Sequence, residues 1–321
     1  MNLRSNKKNK SIAIIGNQKI TNFLINYLSS KKIDIKYILT LEDKKKFKIT
    51  DPYNFKKSKI KKIDLKSYNL KNTHDINTIK KIKIDFLIVF GWSRLIPSWL
   101  IDHVKIATLG VHAGMYNPPR SRGRAVFNWS IIGNFKKMVA YCMILKPGID
   151  NGDILIKENL KISQFDDINS IYIKNSIISS RFFFKILSQW SYFYKNRLKQ
   201  KKIGSTYLPK RSVEDSFINW QQSSSKIYNF IRALKDPYPN AFTYLNNTKI
   251  LISDAIIFEL DGLNGTKVGE VVGIYDKNHI IIKCKTGYIL TKKIKFNNEI
   301  SIKIGSIFKS NKSKKFDLSK I

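Results

Sequence analysis

Of the four histidines in the chain, only His112 stands where imidazole chemistry is expected. It follows the β-like run IATLGV and opens the loop HAGMYNPPRSRGRA, which is dense in Gly, Pro and Arg. In an open α/β sheet, ligands bind outside the carboxyl ends of the strands, so a proton-transferring group belongs at such a place. His74 and His279 lie in polar, turn-like contexts and read as surface residues. His103 ends a helix-like stretch, IDHVK, where a cation is unremarkable. Arg120, Arg122 and Arg124, with Gly123 among them, could grip a carboxylate or phosphate through their planar forks. A solvated basic loop is the plain alternative. A second constellation, Lys146-Pro147-Gly148-Ile149-Asp150-Asn151-Gly152-Asp153, follows the apolar run MVAYCMIL. Alone it is an ordinary turn, where Asp and Gly are at home. Near His112, a carboxylate from it would orient the imidazole and make it a better base.

These groups need elements to carry them. SIAIIG at 11–16 reads as a buried strand ending in a glycine turn, and Ile20–Ser30 as a helix. Ile33–Leu41 is a second strand, and Glu42–Lys62 a polar, lysine-rich loop. Asn77–Ile84 is helical, Asp85–Phe90 a central parallel strand, Leu95–Ile101 a short helix and Ile106–Val111 another strand. This alternation predicts an α/β fold with a Rossmann-like, doubly wound parallel sheet. Gly16 stands alone without a GxGxxG loop, so a dinucleotide is not expected. Lys174–Tyr194 reads as one long aromatic helix, and 196–205 as a basic, polar linker. Beyond Trp220, a helix at Ser223–Leu234 precedes short strands in TKILISDAIIFEL, KVGEVVGIY, HIIIKCK and GYILTKKIKF. Such spacing predicts a smaller C-terminal β-barrel, OB-like in size. KSNKSKKFDLSKI reads as a frayed tail.

At 321 residues the chain is long enough for two domains with cores of their own. Cys142 and Cys284 show neither disulfide nor zinc spacing, and no His/Cys/Asp cluster has ligand spacing, so no metal is expected. No targeting segment or membrane-length apolar run is read, which makes the expected location cytoplasmic and excludes a membrane partner. The net charge of +36 invites a nucleic-acid partner. Lysine is spread throughout and arginine is scarce, which favours compositional drift instead.

The series GWSRLIP at 91–97, VHAG…PRSRGRAVFNW at 111–129 and GIDNGDIL at 148–155 resembles the folate-dependent formyltransferases. LPKRSVEDSFINWQQSSSKIYNFIRALKDPYPNAFTYL at 208–245 is similar to the start of that family's C-terminal domain. It is most similar to the domain acting on UDP-4-amino-4-deoxy-arabinose. The resemblance implies a catalytic domain over 1–200 and a small β-barrel domain over 201–321. It implies transfer of a formyl group from 10-formyltetrahydrofolate to a primary amine, with His112 as general base and Asp150 orienting it. Leu95, Ile96 and Pro97 match the segment whose backbone recognises the pterin. Lys146, Pro147, Gly148, Ile149 and Asp150 match the opposite wall of that pocket, and Arg124 matches an arginine that contacts the cofactor in the sugar enzymes. The chain departs from the family at Gly110, where the family has an Asn facing the formyl oxygen. Its loop is also longer, through Tyr116-Asn117-Pro118-Pro119, so Asn117 or a backbone N–H is expected to take that donor's place. RGRAVFNW favours a nucleotide-linked amino sugar as the small-molecule acceptor. Initiator methionyl-tRNA is the alternative partner, and an inactive folate- or sugar-binding remnant a second one. Oligomeric state stays open, a homodimer being one option.

Overall fold

Runs of branched apolar residues bounded by polar ones favour strands buried on both faces, and the first half of the chain is built from them. The computed structural model describes residues 10–48, 51–55, 60–201, 203–262, 267–296, 301–311 and 318. The expectations for the basic residues 1–9 and for most of the tail lie outside the described residues. In chain order the elements are β1 (Ile12–Ile15), α1 (Lys19–Ser30), β2 (Ile35–Leu41), β3 (Lys61–Leu65), α2 (Thr73–Lys80), β4 (Phe86–Val89) and α3 (Ser98–His103). There follow β5 (Ala107–Gly114), α4 (Val126–Ile132), β6 (Lys137–Ile144), β7 (Asp153–Lys161), α5 (Ile168–Ser188) and α6 (Trp190–Lys195). The last elements are α7 (Ser224–Arg232), β8 (Ala241–Leu245), β9 (Thr248–Phe258), β10 (Val271–Ile274), β11 (Ile280–Lys283) and β12 (Tyr288–Phe296).

The first sheet has seven strands in the order β3-β2-β1-β4-β5-β6-β7. Strands β3 to β5 of that order pair in parallel, and β6 pairs antiparallel with β5. β1 is buried along its whole length. α1 buries Leu24, Ile25 and Leu28, at the spacing of one helix face, and packs by β2. The turn after β1 closes strand ends. A Cβ on Gly16 would lie 2.1 Å from the Phe90 carbonyl oxygen, a contact no side chain tolerates. Next to it, Asn17 Oδ1 accepts from Thr40 Oγ1 at 3.0 Å and from the Leu41 N–H at 2.8 Å.

The second sheet is antiparallel, five-stranded, in the order β8-β9-β12-β11-β10. α7 is capped by Ser223, whose hydroxyl accepts from the Lys226 N–H. Trp220 is fully buried in this part, with its indole N–H on Thr243 Oγ1 at 3.2 Å and its ring beside Phe308. The expected fold class, a doubly wound sheet with a separate small β domain, is what the molecule has.

The two compact units interleave along the chain. One takes residues 1–122, 139–160 and 173–206, and the other 123–138, 161–172 and 207–321. Element ends differ from the sequence reading in places. α2 starts at Thr73 because the Asn72 side chain caps it by accepting from the Asp75 N–H. α3 starts only at Ser98, after Pro97, since a proline disfavours helical backbone in the residue before it. The expected Lys174–Tyr194 helix is α5 and α6, interrupted at Gln189. β3 lies partly in the stretch read as loop. No helix among the described residues is long and apolar enough to cross a membrane.

Trp220→Ala should cost about 3–5 kcal/mol, as large aromatic truncations in cores do. Denaturant unfolding measures it, and a loss under about 1 kcal/mol would mean that the indole is not the centre of that core.

Candidate active site

The parallel pairing of β4 with β5 ends at Val89 opposite Gly110, while β5 runs on to Gly114 against β6 alone. His112 sits on that overhang, in register with Tyr141. It is thus on the strand rather than just after it, and still at the carboxyl edge of the parallel sheet. Its ring meets the Tyr141 ring edge-on at 5.6 Å between centroids. Tyr141 is fully buried, and its hydroxyl has no hydrogen-bond partner among the described residues. Burial, and after it the charge of Asp150, pushes the phenol well above its ordinary pKa.

Both ring nitrogens of His112 face oxygen. Nε2 lies 3.0 Å from the Ser121 carbonyl, and Nδ1 lies 3.5 Å from Asp150 Oδ2. A carbonyl only accepts, so the first contact places a proton on Nε2. In the neutral ring, Nδ1 then carries the lone pair, directed toward the Asp150 side. The protonated ring has a donor for each oxygen, whereas the neutral ring satisfies only one. The site therefore complements the ring after it has taken a proton.

Both oxygens come from constrained backbone. Ser121 has φ 64° and Asp150 φ 47°, a region that non-glycine residues rarely occupy and that clusters at functional sites. The Asp150 turn depends on Gly152, where a Cβ would fall 1.8 Å from the Ile144 carbonyl oxygen. Asn151 Nδ2 donates to the Pro147 carbonyl at 2.9 Å and closes the turn. Asp153, at the start of β7, receives Lys146 Nζ at 2.7 Å and Arg197 Nε at 3.2 Å.

The structure brings His112 and Asp150 together. Leu95, Ile96 and Pro97 lie between β4 and α3, at the same edge of the sheet. Ile96 is buried in the core with Trp92, while Leu95 is 62% exposed. Lys146, Pro147, Gly148 and Ile149 form an exposed turn, with Ile149 at 42%. Asn117 is exposed, and its Oδ1 accepts from Lys157 Nζ at 3.2 Å. Arg124 falls in the second unit, where its N–H donates to the Leu208 carbonyl and its charge acts on Tyr238. Gly110 is explained by Leu145, since a Cβ on it would lie 2.7 Å from Leu145 Cδ2. Leu145 packs both on the core holding Trp92 and Ile96 and on Tyr141 and Met143. The space beside a side chain at 110 is filled. Two groups escaped the sequence reading. Tyr141 sat in an apolar run with nothing to mark it, and Gln200 sat in the presumed linker.

The other histidines are engaged elsewhere: His74 beside Asp75, His103 on the Ile82 carbonyl and His279 on Asp276. Both thiols are buried, and burial raises them, that of Cys284 to about 12. Among the described residues no group of three His, Cys, Asp or Glu could hold a metal.

A formyl transferase family model matches residues 9–184, and a formyl transferase C-terminal domain model matches 210–312. The chain belongs to the formyl transferase family. It is 29% identical to methionyl-tRNA formyltransferase of Clostridium acetobutylicum over 289 residues, 87% of this chain and 89% of that one. It is 31% identical to the bifunctional polymyxin resistance protein ArnA of Wigglesworthia glossinidia brevipalpis over 221 residues, 68% of this chain and 32% of ArnA. Among solved structures, the fold matches a Helicobacter canadensis N-formyltransferase in complex with folinic acid and dTDP-3-aminofucose. That match has a TM-score of 0.60 at 18% identity, over 88% of this chain and 99% of that one. It also matches HypX of Aquifex aeolicus in complex with tetrahydrofolic acid. There the TM-score is 0.65 at 17% identity, over 94% of this chain, which spans 46% of the HypX chain. The reaction class expected from the sequence, folate-dependent formyl transfer, is borne out.

Burial alone would raise the Asp153 carboxyl, but the hydrogen bonds and charges of Lys146 and Arg197 outweigh it and hold it below its ordinary value. A carboxyl lowered by folding adds stability above the ordinary carboxylate range and loses it as pH falls through the lowered value. Asp153→Asn should therefore be less stable than wild type at neutral pH and converge with it in acid. Stability curves that stay parallel down the pH range would remove this ion pair from the account.

Proposed function

We propose that this protein transfers the formyl group of 10-formyltetrahydrofolate to the primary amine of a nucleotide-linked amino sugar, with His112 as general base. The observation that carries the reading is the His112 ring set between the Ser121 carbonyl and the Asp150 carboxylate. The neutral amine attacks the formyl carbon, and the carbonyl electrons move to oxygen. His112 takes the proton that the nitrogen sheds, and Asp150 stabilises the imidazolium. Collapse of the tetrahedral species breaks the bond to the folate nitrogen, which leaves with a proton, and gives the formamide and tetrahydrofolate.

A separation of 3.5 Å is long for a hydrogen bond, and such catalytic contacts often tighten only when substrate is bound. The exposed side chains of Leu95 and Ile149 are apolar surface of the kind a pterin ring covers, and the resemblance alone assigns Arg124 to the cofactor. The oxyanion needs a donor. With the place beside Gly110 taken by Leu145, we assign that role to the Asn117 amide, whose oxygen is already engaged by Lys157.

The acceptor is argued from RGRAVFNW at 122–129 and from the fold shared with an N-formyltransferase solved with dTDP-3-aminofucose. Methionyl-tRNA is the second reading, favoured by the net charge of +36 and by similarity over 87% of the chain to a methionyl-tRNA formyltransferase.

An amine screen with 10-formyltetrahydrofolate, including methionyl-tRNA and several nucleotide-linked amino sugars, decides between them. Turnover of a sugar is expected. Turnover of the tRNA alone, with a steep loss at rising salt, would reverse the choice of acceptor. No turnover with any amine would favour the remnant. His112→Ala should lower kcat by about 100-fold or more, and Asn117→Ala by about 10- to 100-fold. Undiminished turnover in either variant removes that residue from the mechanism.

A further inference from the structure

Gln200 follows α6 in the basic, polar stretch that the sequence marks as a linker. Its carboxamide has a partner on each side. Nε2 donates to the carbonyl oxygens of Asp150 at 3.0 Å and of Gly152 at 2.7 Å. Oε1 accepts from Arg122 Nη2 at 2.7 Å. Arg122 is buried and follows Ser121 directly, and Ser121 supplies the carbonyl that faces His112 Nε2. Asp150 supplies the carboxylate that faces Nδ1. One side chain thus ties together the two backbone segments that carry the oxygens of the His112 site.

The segment bearing Gln200 is itself fastened. Leu198 and Ile154 exchange backbone hydrogen bonds at 2.8 Å in both directions. Thr206 accepts from the Arg122 N–H through its carbonyl, and from the Ser121 N–H through its hydroxyl, each at 2.9 Å. Ser121 and Asp150 both hold left-handed backbone, which persists only where surrounding contacts over-determine it. An amide nitrogen with two N–H groups suits the paired carbonyls of Asp150 and Gly152. A carboxylate there has nothing to donate.

We propose that Gln200 is a positioning residue for His112. It fixes the distance between the Ser121 carbonyl and the Asp150 carboxylate, and through them which ring nitrogen carries the proton. Its kinetic consequence rests on the formyl-transfer reading above, whereas its effect on the ring does not.

The test uses the full chain with ring-15N histidine, in wild type, Gln200→Ala and Gln200→Glu, with His112→Asn to assign the His112 signals. Gln200→Glu keeps the length and the Arg122 contact, removes the donors and adds a negative charge, so Gln200→Ala, which adds no charge, must show the same change for positioning to be the cause. The ring nitrogen shifts of His112 should change in both Gln200 variants, while those of His74, His103 and His279 stay in place. With an accepted amine, kcat should fall about 10- to 100-fold, the penalty of a misplaced catalytic group. KM for the formyl donor should stay within about twofold. Folded variants with unchanged His112 shifts overturn the proposal, as does a wild-type kcat in Gln200→Glu. If wild type formylates no amine, the functional reading fails, and the His112 shifts alone decide the role of Gln200.

Discussion

The site depends on one strand outlasting its neighbour. β5 pairs with β4 only as far as Gly110, and the residues beyond it are held by β6 from the other side. The antiparallel partner β6 starts beyond the edge of the parallel sheet, with Val139 opposite Gly114 after the connection through α4, and runs back along β5. His112 is therefore fixed by a hydrogen-bonded ladder, although it stands where a parallel sheet has ended. A residue on a loop at that edge would have to be held by side-chain contacts. Here the backbone sets the direction of the ring, and the loops only bring oxygens to it.

Those oxygens come from segments under local constraint. Ser121 and Asp150 have positive φ, and the turn between β6 and β7 closes so tightly that only glycine fits at 152. Ion pairs from Lys146 and Arg197 to Asp153 hold the far end of that turn. Each contact is modest, but all bear on the same few residues. The Tyr141 hydroxyl, buried beside the His112 ring, has no hydrogen-bond partner among the described residues.

Much of this was legible in the sequence. IAII and FLIV read as strands because branched apolar residues without polar interruption have few other folded uses. His112 stood out because a β-like run led into a loop rich in Gly, Pro and Arg. β3 escaped notice because KKIDL alternates charged and apolar residues, as a strand at the edge of the sheet can. Pro97 moved α3 by a steric rule that composition does not display. The filling of Gly110's vacant side by Leu145 could not be read, since an apolar residue near a strand end does not say which gap it enters. Gln200 was hidden for the opposite reason. Its neighbours are lysines, and a lone polar residue among them looks like solvent-facing chain.

The interleaving of the two units also bears on how the molecule comes into being. The chain passes from one unit to the other at 122/123, 138/139, 160/161, 172/173 and 206/207. No single cut releases either unit whole, so limited proteolysis and truncation are poor tools for separating them. During synthesis, the unit that holds the seven-stranded sheet waits for residues up to 206, and by then two pieces of the other unit have already emerged. A chain with a single crossover could finish one unit before starting the next, whereas this one must hold both open at once.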